Sequence, residues 1–261
     1  MSTGAAARAW VESLAPVTAA MLDIARPASG ERALDVGAGN GQLAFEIAAR
    51  VGPSGEVLAI DPSPEAIAGI QHHAGAARDA APVRALVASA ESLDAGTARF
   101  DLAVARNSVM YFDDLARGLA NVRRALRPGG RFVASVYAPL DEEPFHAIPL
   151  AVVRRRVALS RPLPEYAAAF ELGASEVESA LLGSGWCAVT RREVTVRRTF
   201  ATPDALRTSL RDSRSLAELM ARLPASQRED AWREIDAGFE RYCGPMGVVI
   251  AGRQVLLAAT A

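Results

Sequence analysis

The residues whose types and spacing best suit chemistry are three glycines and two acids, in Asp35-Val36-Gly37-Ala38-Gly39-Asn40-Gly41 and, 20 residues beyond Gly41, Asp61. Alternating glycines leave bare backbone on which a ligand can lie. A helix that follows such a loop offers its unpaired N–H groups to the same ligand. The spacing departs from the dinucleotide fingerprint G-x-G-x-x-G, whose third glycine would fall at Gln42. Asp35 aims a carboxylate at the loop, which suits a ligand with a cationic centre better than a pyrophosphate. An acid in the position of Asp61, at the end of a second strand, can accept both hydroxyl protons of a ribose. His146, in Glu142-Glu143-Pro144-Phe145-His146, is the best single candidate for a general base, with two acids nearby to raise its pKa. One turn of surface loop would give the same five residues.

These groups need elements to hold them. Ala33, Leu34 and Val36 predict a buried strand before the glycines, and Leu43, Phe45, Ile47 and Ala48 an apolar helix after them. Glu56 to Ile60 is a second strand. Ser63, Pro64 and Glu65 then read as a helix start: cap, first position and first turn. Val83 to Ala88 and Arg99 to Asn107 are further strands. Asp113 to Leu126 is a helix with Leu115, Leu119, Val122 and Leu126 on one face. Arg127-Pro128-Gly129-Gly130 is a turn into a fifth strand, Arg131 to Tyr137. Strands alternating with helices imply a parallel sheet with right-handed crossovers.

Past Ala138 the prolines at 139, 144, 149, 162 and 164 are expected to break the chain, around an apolar helix at Ile148 to Leu159. Ser175 to Leu182 reads as a helix and Trp186 to Arg197 as a strand. A second insertion, Thr202 to about Tyr242, has helical apolar spacing. Val248 to Thr260 is a last strand, expected antiparallel at the sheet edge. Residues 4–25 read as helical with a break near Pro16, and Trp10 opens the apolar stripe.

Composition bounds the function. The chain has 261 residues, half of them hydrophobic, with net charge −1, enough for one α/β domain with insertions. Near-neutral charge argues against an affinity built on phosphate neutralisation. Arg154-Arg155-Arg156 reads as a solvated helix face, because no aromatics interleave with it. Cys187 and Cys243, without CxxC or a His/Cys cluster, predict neither a metal site nor a disulfide framework. Adjacent His72 and His73 read as surface residues. With no leader-like N-terminus and no apolar run long enough to span a bilayer, the expectation is a cytoplasmic protein.

Leu34-Asp35-Val36-Gly37-Ala38-Gly39-Asn40-Gly41 resembles motif I of the class I S-adenosylmethionine (SAM) methyltransferases. Together with Leu-Arg-Pro-Gly-Gly-Arg-Phe at 126–132, it places the chain near the ubiquinone/menaquinone-methyltransferase-like branch, which uses small-molecule acceptors. The likeness covers roughly residues 31 to 138. It implies a Rossmann-like seven-stranded sheet, mostly parallel with the last strand antiparallel, and helices on both faces. It also implies a helical cap from two insertions. The implied organisation is a core at 1–138, 175–200 and 246–261, with cap insertions at 139–174 and 201–245.

The cofactor implied is SAM, with S-adenosylhomocysteine as product, held by Asp35, Gly37, Ala38, Gly39, Gln42, Asp61, Pro62, Ser89, Ala90, Glu91 and Arg106. Ser89 stands where relatives often have an acid for the adenine amino group. Arg106 either contacts cofactor, orders its loop or makes a scaffold salt bridge. Trp10, Met110, Tyr111 and Tyr137 are the substrate candidates, with a place in the core as the alternative for the two tyrosines. The Asn/Asp-Pro-Pro-Tyr tetrapeptide of amide and adenine N-methyltransferases is absent after the fourth strand. That absence, with the neutral charge, points away from nucleic acid. The resulting expectation is methyl transfer to an O, N or C atom of a small organic acceptor. The rivals are a SAM-binding enzyme of another reaction, such as a cyclisation or rearrangement, and a non-catalytic SAM-binding protein. Oligomeric state is left open.

Overall fold

The computed structural model describes residues 13–73, 79–161 and 163–261; the substrate candidate Trp10 lies outside them. The chain divides into two compact units. The first comprises Thr18–Val136, Gly173–Glu193 and Val255–Ala261; the second comprises Tyr137–Leu172 and Val194–Gln254 with the described residues up to Val17.

The first unit carries the strands β1 (Arg32–Val36), β2 (Glu56–Asp61), β3 (Val83–Val87), β4 (Phe100–Arg106) and most of β5 (Leu126–Tyr137). The remaining strands are β6 (Cys187–Phe200), the two-residue β7 (Cys243–Gly244) and β8 (Gly247–Thr260). Their order in the sheet is β3-β2-β1-β4-β5-β8-β6, with β7 paired to β8. β1 pairs in parallel with β2 and β4, as do β2 with β3 and β4 with β5; β7 and β8 run antiparallel. Leu34, Val36, Leu58, Ile60, Leu102 and Val104 are all buried. Strands covered on both faces read as continuous apolar runs, which is why the sequence signal here is strong.

The helices of this unit begin where the sequence supplies caps. α1 (Ala15–Ala25) takes Pro16 in its first turn, where a missing N–H is tolerated, and Leu14 is a turn residue after helical Ser13, so the break expected near Pro16 is present. α2 (Gln42–Val51) follows Gly41, and the Asn40 side chain accepts the Gln42 N–H at 3.2 Å. Ser63 Oγ accepts the Ala66 N–H at 3.2 Å to start α3 (Pro64–His73). His72 and His73 at the end of α3 are exposed. Asp114 caps α4 (Leu115–Ala125) through the Arg117 N–H at 3.0 Å.

Three expectations change. No helix joins β3 to β4; residues 88–99 form an irregular loop, as short polar side chains there compete for backbone groups. The Arg127–Gly130 turn is an excursion within β5, because the register jumps from Phe100↔Leu126 to Leu102↔Arg131. Gly129, at φ +76°, donates its N–H to Ala261, and the Ala261 N–H returns to Gly130. Finally, β8 is not the edge strand; it lies between β5 and β6.

The second unit holds α5 (Pro144–Arg154), α6 (Glu165–Ala168), α8 (Pro203–Arg211), α9 (Arg214–Met220) and α10 (Ala225–Phe239); α7 (Ala174–Gly183) belongs to the first. Leu150, Val153, Leu206, Leu210, Leu216, Leu219, Ile235 and Phe239 pack into one core. Both inserted segments thus contribute to a single hydrophobic cluster. The prolines do not break α5: Pro144 opens it and Pro149 lies inside it. Pro149 cannot donate to the Phe145 carbonyl four residues back. Tyr166 Oη does so instead, at 3.2 Å. Arg155 and Arg156 both pair with Glu234, and Arg154 with Glu171 at 3.8 Å. No helix among the described residues is long and apolar enough to cross a membrane.

Candidate functional site

Gly37, Gly39 and Gly41 all have left-handed backbone, at φ +72°, +55° and +78°, a region that L side chains enter only at a cost. Their surroundings differ. A Cβ at Gly37 would stand 2.3 Å from Ser108 Cβ, and one at Gly41 would stand 2.7 Å from Ile70 Cγ1. A Cβ at Gly39 would meet nothing within 4 Å. Gly37 and Gly41 are therefore glycines because protein presses on them. Gly39 leaves one side of the loop open.

The loop's N–H groups are largely committed internally. Gly37 and Ala38 both donate to Ile60 O, at 2.8 and 2.9 Å, and Gly41 donates to Ala38 O at 2.9 Å. The Gly39 N–H goes to Asp61 Oδ2 at 2.8 Å. With the Gln42 N–H on Asn40, five donors that an anion would need are occupied. The expected discrimination against a pyrophosphate thus has a structural basis.

Asp35 and Asp61 sit on neighbouring strands. Asp35 is buried in β1, registered against Ala59 and Val104. Its Oδ2 has no hydrogen-bond donor among the described residues. Burial pushes the carboxyl up to about 7, Arg106 opposes that, Asp61 adds to it, and the Ala44 N–H lowers it. A cation brought to this oxygen would offset the cost of burying its charged form. Asp61, at the end of β2, receives the Gly39 N–H on Oδ2 and the Ser63 N–H on Oδ1 at 2.9 Å. Each carboxylate oxygen has two lone pairs, so each still has room for a hydroxyl. The orphaned Asp35 oxygen, the open side at Gly39 and the spare capacity of Asp61 fit an aminoacyl-nucleoside such as SAM.

The other cofactor candidates surround these or support them. Arg106 Nη1 donates to Thr18 Oγ1 at 2.6 Å and to Gln42 Oε1 at 3.1 Å, tying α1 and the first residue of α2 to the end of β4. Gln42 Nε2 in turn reaches Glu46 at 3.2 Å. Ser89 and Ser92 hold each other: the Ser89 N–H meets Ser92 Oγ at 3.1 Å and the Ser92 N–H meets Ser89 Oγ at 3.3 Å. Ala90 is buried and Pro62 exposed. Glu91 accepts the Asp114 N–H at 3.3 Å.

Three residues with roles here escaped the sequence reading. Ser108 Oγ donates to Val36 O at 2.6 Å and bounds Gly37. Asn121 donates to the carbonyls of Ala90 and Glu91, at 3.0 and 2.9 Å, fixing the loop after β3. Asn107 adopts φ +51° after β4, bonded to Ser135, with Nδ2 buried and lacking an acceptor among the described residues. An Asn at a strand end was a usable signal for left-handed backbone. The two long-range contacts left no trace in local pattern. Of the substrate candidates in this unit, Met110 is buried and Tyr111 exposed, in one 3-10 turn, Val109–Tyr111.

Tyr137 and His146 fall in the second unit. His146 is buried in α5, with ring centroids of Tyr137, Tyr166, Phe170 and Phe145 at 4.9, 5.4, 5.3 and 5.3 Å. Only one of its two neighbouring acids reaches it: Glu143 Oε2 lies 3.4 Å from Nδ1, while Glu142 pairs with Arg253 at 2.6 Å. The imidazole pKa is lowered, not raised, because burial outweighs the Glu143 contact and Arg198 adds to the lowering. Tyr166 is pushed well above the ordinary phenol range, chiefly by burial. Among the described residues no cluster of His, Cys, Asp and Glu is arranged to hold a metal ion.

Fold and loop together define an α/β protein that binds a nucleoside-type ligand with a cationic part. Residues 33–130 match the family model described as a methyltransferase domain. The chain is 32% identical over 162 residues to aklanonic acid methyltransferase DauC of Streptomyces sp. (strain C5), covering 59% of this chain and 73% of that one. It is 37% identical over 122 residues to nocamycin O-methyltransferase of Saccharothrix syringae, covering 46% and 43% of the two chains. The YcgJ protein of Bacillus subtilis shares the fold, with TM-score 0.62 at 20% identity over 93% of this chain and 97% of that one. The chain belongs to the class I SAM-dependent methyltransferases, with SAM as its cofactor.

Proposed function

We propose that the chain moves the methyl group of SAM to an O, N or C atom of a small organic acceptor in the cytosol. The observation that carries the cofactor half is the buried Asp35 oxygen, without a donor among the described residues, beside a loop whose N–H groups are largely occupied. The acceptor half is supported by the names of relatives, an aklanonic acid methyltransferase and a nocamycin O-methyltransferase. The net charge of −1 and the pairing of Arg154, Arg155 and Arg156 with acids weigh against a nucleic-acid substrate. Two exposed free cysteines, Cys187 and Cys243, suit a reducing compartment.

SAM supplies an electrophilic methyl group whose leaving group is a neutral thioether. The chain's part is then to hold and align, worth roughly 7–11 kcal/mol when two reactants are fixed in line. Asp35 would receive the cofactor's positive charge, and Asp61 would accept from its ribose hydroxyls. The loop backbone at Gly37, Ala38 and Gly39 would hold it, with Ala90 and Glu91 serving its adenine. The helices of the two inserted segments are read as the part of the chain that selects the acceptor. His146, neutral at physiological pH because burial lowers its pKa, takes the acceptor's proton.

Calorimetry tests the cofactor assignment. Asp61→Ala should weaken SAM and S-adenosylhomocysteine alike, by roughly 10²-fold for two charge-assisted bonds lost. Unchanged affinity would mean the loop serves another ligand. For the base, an acceptor found by screening phenolic, quinone, polyketide and amine pools with labelled SAM is required. His146→Gln should then lower kcat by about 10²–10⁴-fold with cofactor affinity intact. The acid limb of the wild-type profile should lie below the ordinary imidazole value of about 6.5.

A further inference from the structure

Glu143, Arg198 and Gly252 form a buried cluster around His146 in the second unit, and methyl transfer itself gives these three no role. Glu143 and Arg198 are 0% and 2% exposed, and Arg198 Nη1 donates to Glu143 Oε2 at 3.2 Å. Burying two charges costs free energy that their attraction often does not fully return, and an apolar pair of similar volume is often at least as stable. The same Oε2 faces His146 Nδ1 at 3.4 Å. Gly252 makes the space: a Cβ there would stand 2.6–2.8 Å from the Glu143 carboxylate atoms. The Arg198 guanidinium also lies 4.8 Å over the Phe145 ring, which holds it in place.

We infer that Glu143 is the positioning residue of His146, selecting the imidazole tautomer that carries its proton on Nδ1 and its lone pair on Nε2. The inference rests on the reading of His146 as the base. A carboxylate beside a permanently charged guanidinium is an acceptor only, so the imidazole nitrogen facing it must be the donor. Catalytic hydrogen bonds are often long before ligands bind, and 3.4 Å is such a length. The acceptor's X–H proton passes to Nε2 as X takes the methyl group and the electron pair of the breaking C–S bond stays on sulfur. The imidazolium formed is then balanced by Glu143 and later loses its proton to water. Among the described residues, the charged and titratable groups facing His146 include Glu143 before its own helix, Arg198 on β6, Tyr166 on α6 and Tyr137 on β5.

The tautomer is directly measurable. With three histidines in the chain, two-bond 1H–15N correlation spectra of 15N-labelled protein without added ligand resolve each ring, and His146→Gln assigns the one that vanishes. The expected result is a single Nδ1–H form for neutral His146 in wild type. Glu143→Gln, whose amide can donate or accept, should lose that single form. So should Gly252→Ala, which displaces the carboxylate without altering its chemistry. An Nε2–H form in wild type overturns the inference. So does an unchanged tautomer in folded Gly252→Ala, and this variant decides the matter if Glu143→Gln does not fold. The base reading fails separately: turnover retained by His146→Gln removes the base, whatever the tautomer proves to be.

Discussion

Asp35→Asn is expected to stabilise the ligand-free protein above pH 7 while removing most of its affinity for SAM. Burial holds the Asp35 carboxyl at about 7, against 3.8 for the ordinary group. The folded protein therefore binds a proton that the unfolded chain has released between those values. The contribution of this one group to stability is full below pH 4 and is lost as pH rises toward and through 7. At about 1.4 kcal/mol per pKa unit the loss is on the order of 3–5 kcal/mol. Asn carries no such charge, so its unfolding free energy should exceed wild type's by a few kcal/mol at pH 8, and the gap should close near pH 4. Denaturant unfolding at the two pH values measures this. A wild type as stable at pH 8 as the variant would show that Asp35 is not a buried ion.

The same carboxylate makes cofactor binding depend on pH in the opposite sense. A cationic group pairs with Asp35 only once its proton has gone, so SAM affinity should rise with pH. Between pH 5 and pH 7 the gain is roughly 50-fold for a group titrating at about 7. Asp35→Asn should bind weakly at both values and show no such gain. Stability and affinity are thus set against each other at one atom, Oδ2, which has no donor among the described residues.

The second large effect separates the glycines of the loop. Gly37→Ala forces a side chain into φ +72° and drives its Cβ to 2.3 Å from Ser108 Cβ. Left-handed backbone costs about 1–2 kcal/mol and overpacking a further ~1–3 kcal/mol. The expected loss is therefore about 2–5 kcal/mol, read as a fall in the denaturant midpoint. Gly39→Ala bears only the backbone cost of about 1–2 kcal/mol, because nothing lies within 4 Å of its Cβ. It should fold, yet its methyl would stand on the open side of the loop, and calorimetry should show SAM affinity reduced at least tenfold. Equal stability losses at the two positions would mean that Ser108 yields easily. Full affinity in Gly39→Ala would place the ligand elsewhere.

Much of this molecule was determined locally. Alternating glycines permit a left-handed loop that other residues enter only at a cost, and apolar runs buried on both faces favour the strands around it. Caps at Ser63 and Asp114 act within three residues of themselves. That is why the loop, Asp35, Asp61 and the parallel sheet were readable from the chain alone. The tertiary structure decided what those groups experience. Asp35 titrates near neutrality only because strands registered on both sides remove it from water. His146 shows the limit most plainly. Its two acidic neighbours in sequence suggested a raised pKa, and folding reversed the sign by turning Glu142 to Arg253 and burying the ring. The partner that fixes Glu143, Arg198, lies 55 residues away, and the space for its carboxylate comes from Gly252 on another strand. Local spacing governs backbone conformation, but desolvation and charge pairing are sums over everything nearby in space, and only the folded chain brings those terms together.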